Sequence, residues 1–407
     1  MTVSATGAVS ERISNVRIKF ATQLRNKIAK YYCAAYTDFL RMEHSTVRSR
    51  HRMTQPPPAR MPTGPDADRR HLWVVSDGTA GMRLQAVAMA ESLLNARPDW
   101  AYEQFVITPH RWIRMLPRLS SWLPAAPLYG TSTDGGLERR PHAGRYPDIL
   151  ITCGRRMAGY ALALRRRAHA AGIAMQIVHL QDPRLPPRLF DALIVPAHDP
   201  ARGGNVLVTT GSLNRLTLAG MQRAMMDLPT RWLSAARGNA VTVMIGGDNR
   251  RYAITRDLAA HMGERLATLA RTTGVKLLLI PSRRTPAGLV DSIAAALPDD
   301  NVLTPDKDEP NVYPGVLGLG QAVIVTSDSV NMASEAAITG KPVLVIGWKP
   351  PSRHSPTGET GRIATFHRNM MEAGHSAPFD GQIPPGNFTR LDEMDALTDR
   401  LLALLGV

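Results

Sequence analysis

The sequence predicts an α/β protein built from two doubly wound parallel-sheet domains in tandem, facing each other across a cleft. Three observations carry this expectation. The chain has 407 residues, too many for one ordinary core and suited to two of roughly 150 each. From His71 onward, short β-rich runs alternate with helix-length amphipathic segments, which is the pattern of parallel sheets. The alternation pauses around 232–239, where Gly238 and small residues read as a hinge, and then restarts.

In the first half, strands are expected at 72–76, 102–107, 149–152, 174–179, 192–195 and 206–208, with helices at 83–95 and 156–171. In the second half the order is strand 241–245, helix 255–271, strand 276–281, helix 286–296, strand 301–303, helix 311–319, strand 322–326, helix 330–339 and strand 342–346. A last helix at 391–405 is placed to cross back onto the first domain. The organisation expected is therefore a basic extension and Pro-rich linker over 1–70, a Rossmann-like domain over 71–230, a second over 231–390, and a terminal helix over 391–407. No short repeat appears, which excludes a solenoid.

Hydrophobic residues make up 44% of the chain and charged residues 20%, a balance that supports packed cores rather than disorder. The two cysteines, Cys33 and Cys153, lie in no CxxC or Cys/His spacing, so neither a disulfide framework nor a zinc site is indicated. Apolar runs such as Leu277-Leu278-Leu279-Ile280 fall far short of the roughly 20 residues that span a bilayer. The expectation is a cytoplasmic protein without a secretion signal. The net charge of +15 invites a nucleic-acid reading, but residues 1–52 hold ten Lys/Arg against three acids and so account for about half of it. No nucleic-acid motif organises the remainder, so nucleic acid is not expected as a partner. Lysines cluster in that first segment while arginine dominates afterwards, which makes Met53 a second candidate start.

Ligands of open parallel sheets sit beyond the carboxyl ends of strands, where helix N-termini present free backbone N–H groups and the positive end of a dipole. The longest such frame runs from Val323 to Val343: an apolar strand, the turn Thr326-Ser327-Asp328-Ser329, a short helix closed by Gly340, and a buried strand from Pro342. A diphosphate there meets backbone N–H groups and the hydroxyls of Thr326, Ser327 and Ser329, with Asn331 in the first turn. Glu335, further along the helix, is placed to accept hydrogen bonds from ribose hydroxyls. A plainer reading makes Ser327 or Asp328 an N-cap and Glu335 a solvated helix residue. Ser282-Arg283-Arg284-Thr285 also follows a strand, and two arginines there suit charge-assisted contacts to a diphosphate; an exposed basic turn is the alternative. Gly246 and Gly247 permit close backbone approach to a ligand.

In the first half, Ser76-Asp77-Gly78-Thr79-Ala80-Gly81 precedes a helix carrying Gln85, a phosphate or acceptor loop by position though neither a P-loop nor GxGxxG. Asp77 is the candidate general base for an acceptor hydroxyl, or else a turn residue bonding its own backbone. Further post-strand groups are Cys153-Gly154-Arg155-Arg156, Gln181-Asp182-Pro183-Arg184 and His198-Asp199, of which Arg155, Arg156, Asp182 and Arg184 are acceptor-side candidates. Asp306-Lys307-Asp308 matches a metal-binding DxD by letters only and reads as a surface loop, so no metal is expected. The stretch 111–123 mixes arginines with Trp112, Trp122 and aliphatics, a composition fit for a lipid headgroup boundary or for ordinary packing under a basic face.

With these stretches assembled, residues from about 71 to 380 resemble the bacterial glycosyltransferase family related to the plant mitochondrial fission protein. The resemblance implies a GT-B fold, a nucleotide-diphosphate sugar as substrate with no bound cofactor or metal, and transfer to a cell-envelope glycan or lipid-linked acceptor. It implies donor binding on the second domain and acceptor binding on the first; a peripheral contact at the inner membrane, for a lipid-linked acceptor, is the expectation that the 111–123 stretch adds. Thr79 and Met82 depart from the Lys and the polar residue expected there. The alternatives carried forward are a nucleotide-sugar epimerase of the same fold and a non-catalytic interaction protein like the plant relatives.

Overall fold

The sheets are built from continuous apolar runs, as strands covered on both faces must be. In this computed structural model the described residues are 69–109, 129–131, 146–237, 239–248, 254–306, 309, 311–348, 357 and 359–407. The basic extension with Met53, the 111–123 stretch, Gly238, and Lys307 with Asp308 lie outside them.

The first lobe contains β1 (His71–Ser76), α1 (Ala80–Ala96), β2 (Ala101–Pro109), β3 (Tyr129–Thr131), β4 (Ile149–Cys153), α2 (Arg155–Ala170), β5 (Gln176–Leu180), β6 (Ala192–Pro196) and β7 (Val206–Thr209). Its strand order is β3-β2-β1-β4-β5-β6-β7, parallel except for the edge strand β3. The alternation of side chains along β1 divides its burial: Leu72 and Val74 enter the core beside α1, and Trp73 and Val75 the one beside α2.

The second lobe contains α3 (Leu218–Met226), α4 (Thr230–Ala236), β8 (Ala240–Ile245), α5 (Arg256–Thr273), β9 (Lys276–Pro281), α6 (Leu289–Ala294), β10 (Val302–Leu303), α7 (Tyr313–Leu319), β11 (Ala322–Thr326), α8 (Val330–Ala337), β12 (Val343–Ile346), α9 (Gly361–Glu372) and β13 (Ala377–Pro378). Its order, β10-β9-β8-β11-β12-β13, is parallel throughout. Each sheet therefore reverses its winding at one place, between β1 and β4 in the first lobe and between β8 and β11 in the second. Doubly wound sheets bind ligands at such switch points.

Two expectations about the boundary need correction. The 232–239 stretch is not a hinge: α4 fills much of it, and Trp232 is buried with Leu228 in the second lobe's core. Met221 of α3 is likewise buried against that lobe, so the chain changes lobes near 211–217, before α3, rather than at 230. It returns at 391–394, where α10 (Met394–Leu405) buries Leu397, Leu401, Leu402 and Leu405 in the first lobe's core. The two crossings touch. Glu393 accepts from the N–H groups of Thr210 (2.8 Å) and Gly211 (3.1 Å), and Ser334 Oγ of α8 accepts from Ser212 N–H at 2.9 Å.

Candidate functional site between the lobes

The second lobe's switch point is cross-braced. Thr326 Oγ1, at the end of β11, accepts from Gly246 N–H (2.7 Å) and donates to Asp328 Oδ1 (2.7 Å). Asp328, its side chain fully buried, also accepts from Gly247 N–H (3.1 Å), Trp348 Nε1 (2.8 Å) and Arg284 Nη2 (3.0 Å). A Cβ at Gly246 would strike the Asp328 carboxylate, and one at Gly247 the Arg284 backbone. Both glycines serve the close approach of β8, β9 and β11 to one another, rather than the approach of a ligand.

This bracing reassigns several expected donor ligands. The Thr326 hydroxyl is used internally, and Ser327, with no exposed surface, donates to Glu359 Oε1 at 2.9 Å. The helix cap is Ser329, whose Oγ accepts from Met332 N–H (3.4 Å), in place of Ser327 or Asp328. Ser282 closes its own turn with Thr285, and Thr285 donates to the carbonyls of Ile245 and Gly246 instead of capping a helix. Arg284 is held by Asp328 and by the Asp248 carbonyl (3.1 Å), and Arg283 beside it is exposed as well.

Of the expected donor residues, Asn331 lines the gap between the lobes. Asn331 and Glu335 lie one turn apart on the same side of α8. Glu335 accepts a hydrogen bond from the Tyr313 hydroxyl at the start of α7. Burial raises the Glu335 pKa above the usual carboxylate range, while the Tyr313 hydrogen bond and the charge of Arg283 pull it back. Arg283, after β9, is thus near enough for its charge to act on Glu335.

Across the gap, the loop after β1 and the first turns of α1 approach Asn331 directly. Gln85 Nε2 reaches Asn331 Oδ1 at 3.5 Å, and Gly81 lies against the Asn331 amide. Gln85 in turn accepts from Gln181 Nε2 at 3.3 Å. Asp77 is not a free base in this arrangement: Oδ2 accepts from Arg156 (2.9 Å) and Oδ1 from Thr79 N–H (3.1 Å), with 2% of the side chain exposed. Ser76 is buried at the strand end, whereas Gly78 and Arg155 are exposed at the rim. Asp182 and Arg184 pair within their own turn at 3.1 Å, a turn in which Gln181 and Arg184 both hold positive φ. Non-glycine residues in that conformation mark strain held by surrounding structure.

Between the lobes lies a cavity of about 240 Å3. Its polar lining combines Gln85, Gln181, His198, Asp199, Asn331 and Arg362. Arg362, at the start of α9, pairs with Asp199 at 2.5 Å and ties the second lobe to the end of β6. The other Asp199 oxygen accepts from Asp182 N–H at 3.2 Å. His198 packs edge-on against Phe366 of α9, its Nδ1 buried without a hydrogen-bond partner, and burial lowers its pKa. Sequence reasoning missed Tyr313, Trp348, Glu359 and Arg362. Trp348 was within reach of the same post-strand rule, since it follows β12 by two residues. Asp306 of the DxD lookalike pairs with Arg231 at 3.1 Å.

Two doubly wound lobes, with their switch points opposed and a final helix returning to the first, define the GT-B class. The family model described as "Mitochondrial fission ELM1" matches residues 80–405, and the chain belongs to that family. A protein of Rickettsia prowazekii is 25% identical over 321 residues, covering 70% of this chain and 85% of its own. The Arabidopsis thaliana mitochondrial fission protein ELM1 is 30% identical over 276 residues, covering 60% of each. Among solved structures, a UDP-GlcNAc 2-epimerase from Methanocaldococcus jannaschii superimposes with a TM-score of 0.51 at 10% identity, over 83% of this chain and 100% of that one, a likeness of fold. Among the described residues, no helix is long and apolar enough to cross a membrane.

Proposed function

We propose that the protein is a glycosyltransferase that takes a sugar from a nucleoside-diphosphate donor and passes it to a cell-envelope glycan or lipid-linked acceptor. The observation that carries this reading is the first turn of α8, whose Val330 and Asn331 line the interlobe cavity, with Glu335 one turn further on the face of Asn331 and within reach of the Arg283 charge. By helix geometry the Val330 and Asn331 amides lack intrahelical acceptors, and with Arg283 they suit a diphosphate. Glu335 takes the ribose. The sugar then extends into the cavity, whose amide side chains suit a polyol. For the acceptor proton, His198 offers a neutral ring on the cavity wall, whereas Asp77 can act only after releasing Arg156.

Calorimetric titration with uridine, guanosine and thymidine diphosphates tests the reading. Binding by one of them, lost in Glu335→Ala and Arg283→Ala, supports it. Binding by none favours the interaction-protein alternative suggested by the plant relative. An epimerase or hydrolase would turn over its donor alone, whereas a transferase needs an acceptor for full rate.

A further inference from the structure

Glu335 has two oxygens, and the protein already uses one. Tyr313 donates its phenolic proton to Oε2. The tyrosine is firmly placed: it opens α7 with Pro314 directly behind it, its N–H is held by Asn311 Oδ1 at 3.3 Å, and its ring packs against two hydrophobic cores of the second lobe. A carboxylate on a helix surface ordinarily samples several rotamers, and a hydrogen bond from a fixed phenol restricts it to one. Oε1 is then the oxygen left for a ligand, with a phenol oxygen alongside that retains an accepting lone pair.

We propose that Tyr313 is a positioning residue that fixes Glu335 for recognition of a ribose 2′-hydroxyl, so that the site selects ribonucleoside diphosphates over their 2′-deoxy counterparts. The inference rests on the nucleotide reading above and adds to it a specificity determinant on a separate helix. The donated hydrogen bond also favours the charged form of the carboxylate, countering the burial that raises its pKa. Without it, Glu335 takes up a proton at a higher pH and loses accepting capacity.

The test is titration calorimetry on the full chain with UDP, GDP, 2′-deoxy-UDP and 2′-deoxy-GDP across pH 6 to 8. Wild type is expected to prefer the ribo form by roughly tenfold, the worth of one hydrogen bond to a charged group. In Tyr313→Phe, which keeps the ring in both cores, that ratio should fall to near one, while affinity for the deoxy form changes less than about threefold, as expected of contacts that leave the diphosphate untouched. Arg283→Ala should weaken both forms, as expected of a contact to the diphosphate. A ratio unchanged in Tyr313→Phe overturns the proposal, and so does an equal loss of both forms, the mark of a merely structural tyrosine. A urea unfolding midpoint for each variant separates misfolding from lost recognition. If wild type binds neither ribonucleotide, the nucleotide reading itself has failed. If it binds ribo and deoxy forms equally, only the role given to Tyr313 and the 2′-hydroxyl has failed.

Discussion

The two switch points have the same topology and opposite character. In the second lobe, the ends of β8, β9 and β11 are bound together by one buried carboxylate, one buried hydroxyl and two glycines whose missing side chains are filled by neighbours. In the first, Gly78, Thr79 and Ala80 are exposed, and the Asp77 carboxylate bonds Arg156 and its own turn. On the proposed transferase reading, a preorganised set of amides and charges in one lobe, facing a looser loop in the other, suits a constant donor and a large, varied acceptor.

The largest effect that would sharpen this contrast is expected from Asp328→Ala. It strands the N–H groups of Gly247 and Trp348 and the Thr326 hydroxyl, and should cost about 4 kcal/mol by urea denaturation. Next comes Gly247→Ala, which forces a methyl into the Arg284 backbone at an expected loss of about 3 kcal/mol. If either variant proves as stable as wild type, the bracing is not structural.

Acid sensitivity provides an intermediate effect, distributed over both lobes. Burial holds folded His179 neutral down to about pH 3, whereas the unfolded chain protonates it near 6.5. The unfolded state binds the extra proton between these values, so this contribution is complete above about pH 6.5 and shrinks as pH falls, by about 2 kcal/mol at pH 5. His367, buried in the second lobe against the Ser327 carbonyl, is shifted in the same direction. His179→Gln should flatten the first lobe's share of the slope of unfolding free energy against pH, and a slope left unaltered would show that other groups carry it. The smallest effect belongs to Asp77→Ala, about 1 kcal/mol: its carboxylate is nearly buried, but the Arg156 left behind is 30% exposed and can turn to water. A loss as large as that of Asp328→Ala would erase the distinction between the lobes.

Most strands were legible because their apolar runs are unambiguous: Lys276–Pro281 and Ala322–Thr326 fall where they were read. The switch points followed from the rule that chemistry succeeds strands. Less visible was which residues serve the protein and which a ligand. Thr326 and Arg284 look like ligand-binding residues in sequence, and only the buried Asp328 between them shows that they serve each other. Tyr313 and Arg362 were unreadable for another reason: each acts through a partner distant in sequence, Glu335 and Asp199, and local pattern has no access to such pairs. The short helices α3 and α4 escaped because each presents a single fully buried residue, Met221 and Trp232, to the second lobe's core, too few to show a helical period.

The returning helix α10 has a consequence for synthesis. Its leucines close the core that β1 and α1 open, and Ser92 of α1 hydrogen-bonds Thr398 at 2.7 Å. A nascent chain leaving the ribosome therefore carries its earlier lobe with an uncovered greasy flank until residues 394–405 have emerged, by which time the later lobe is already available to fold. The lobe translated first is the one finished last, and any interruption of translation before that helix leaves a product whose unfinished half is a target for chaperones or aggregation.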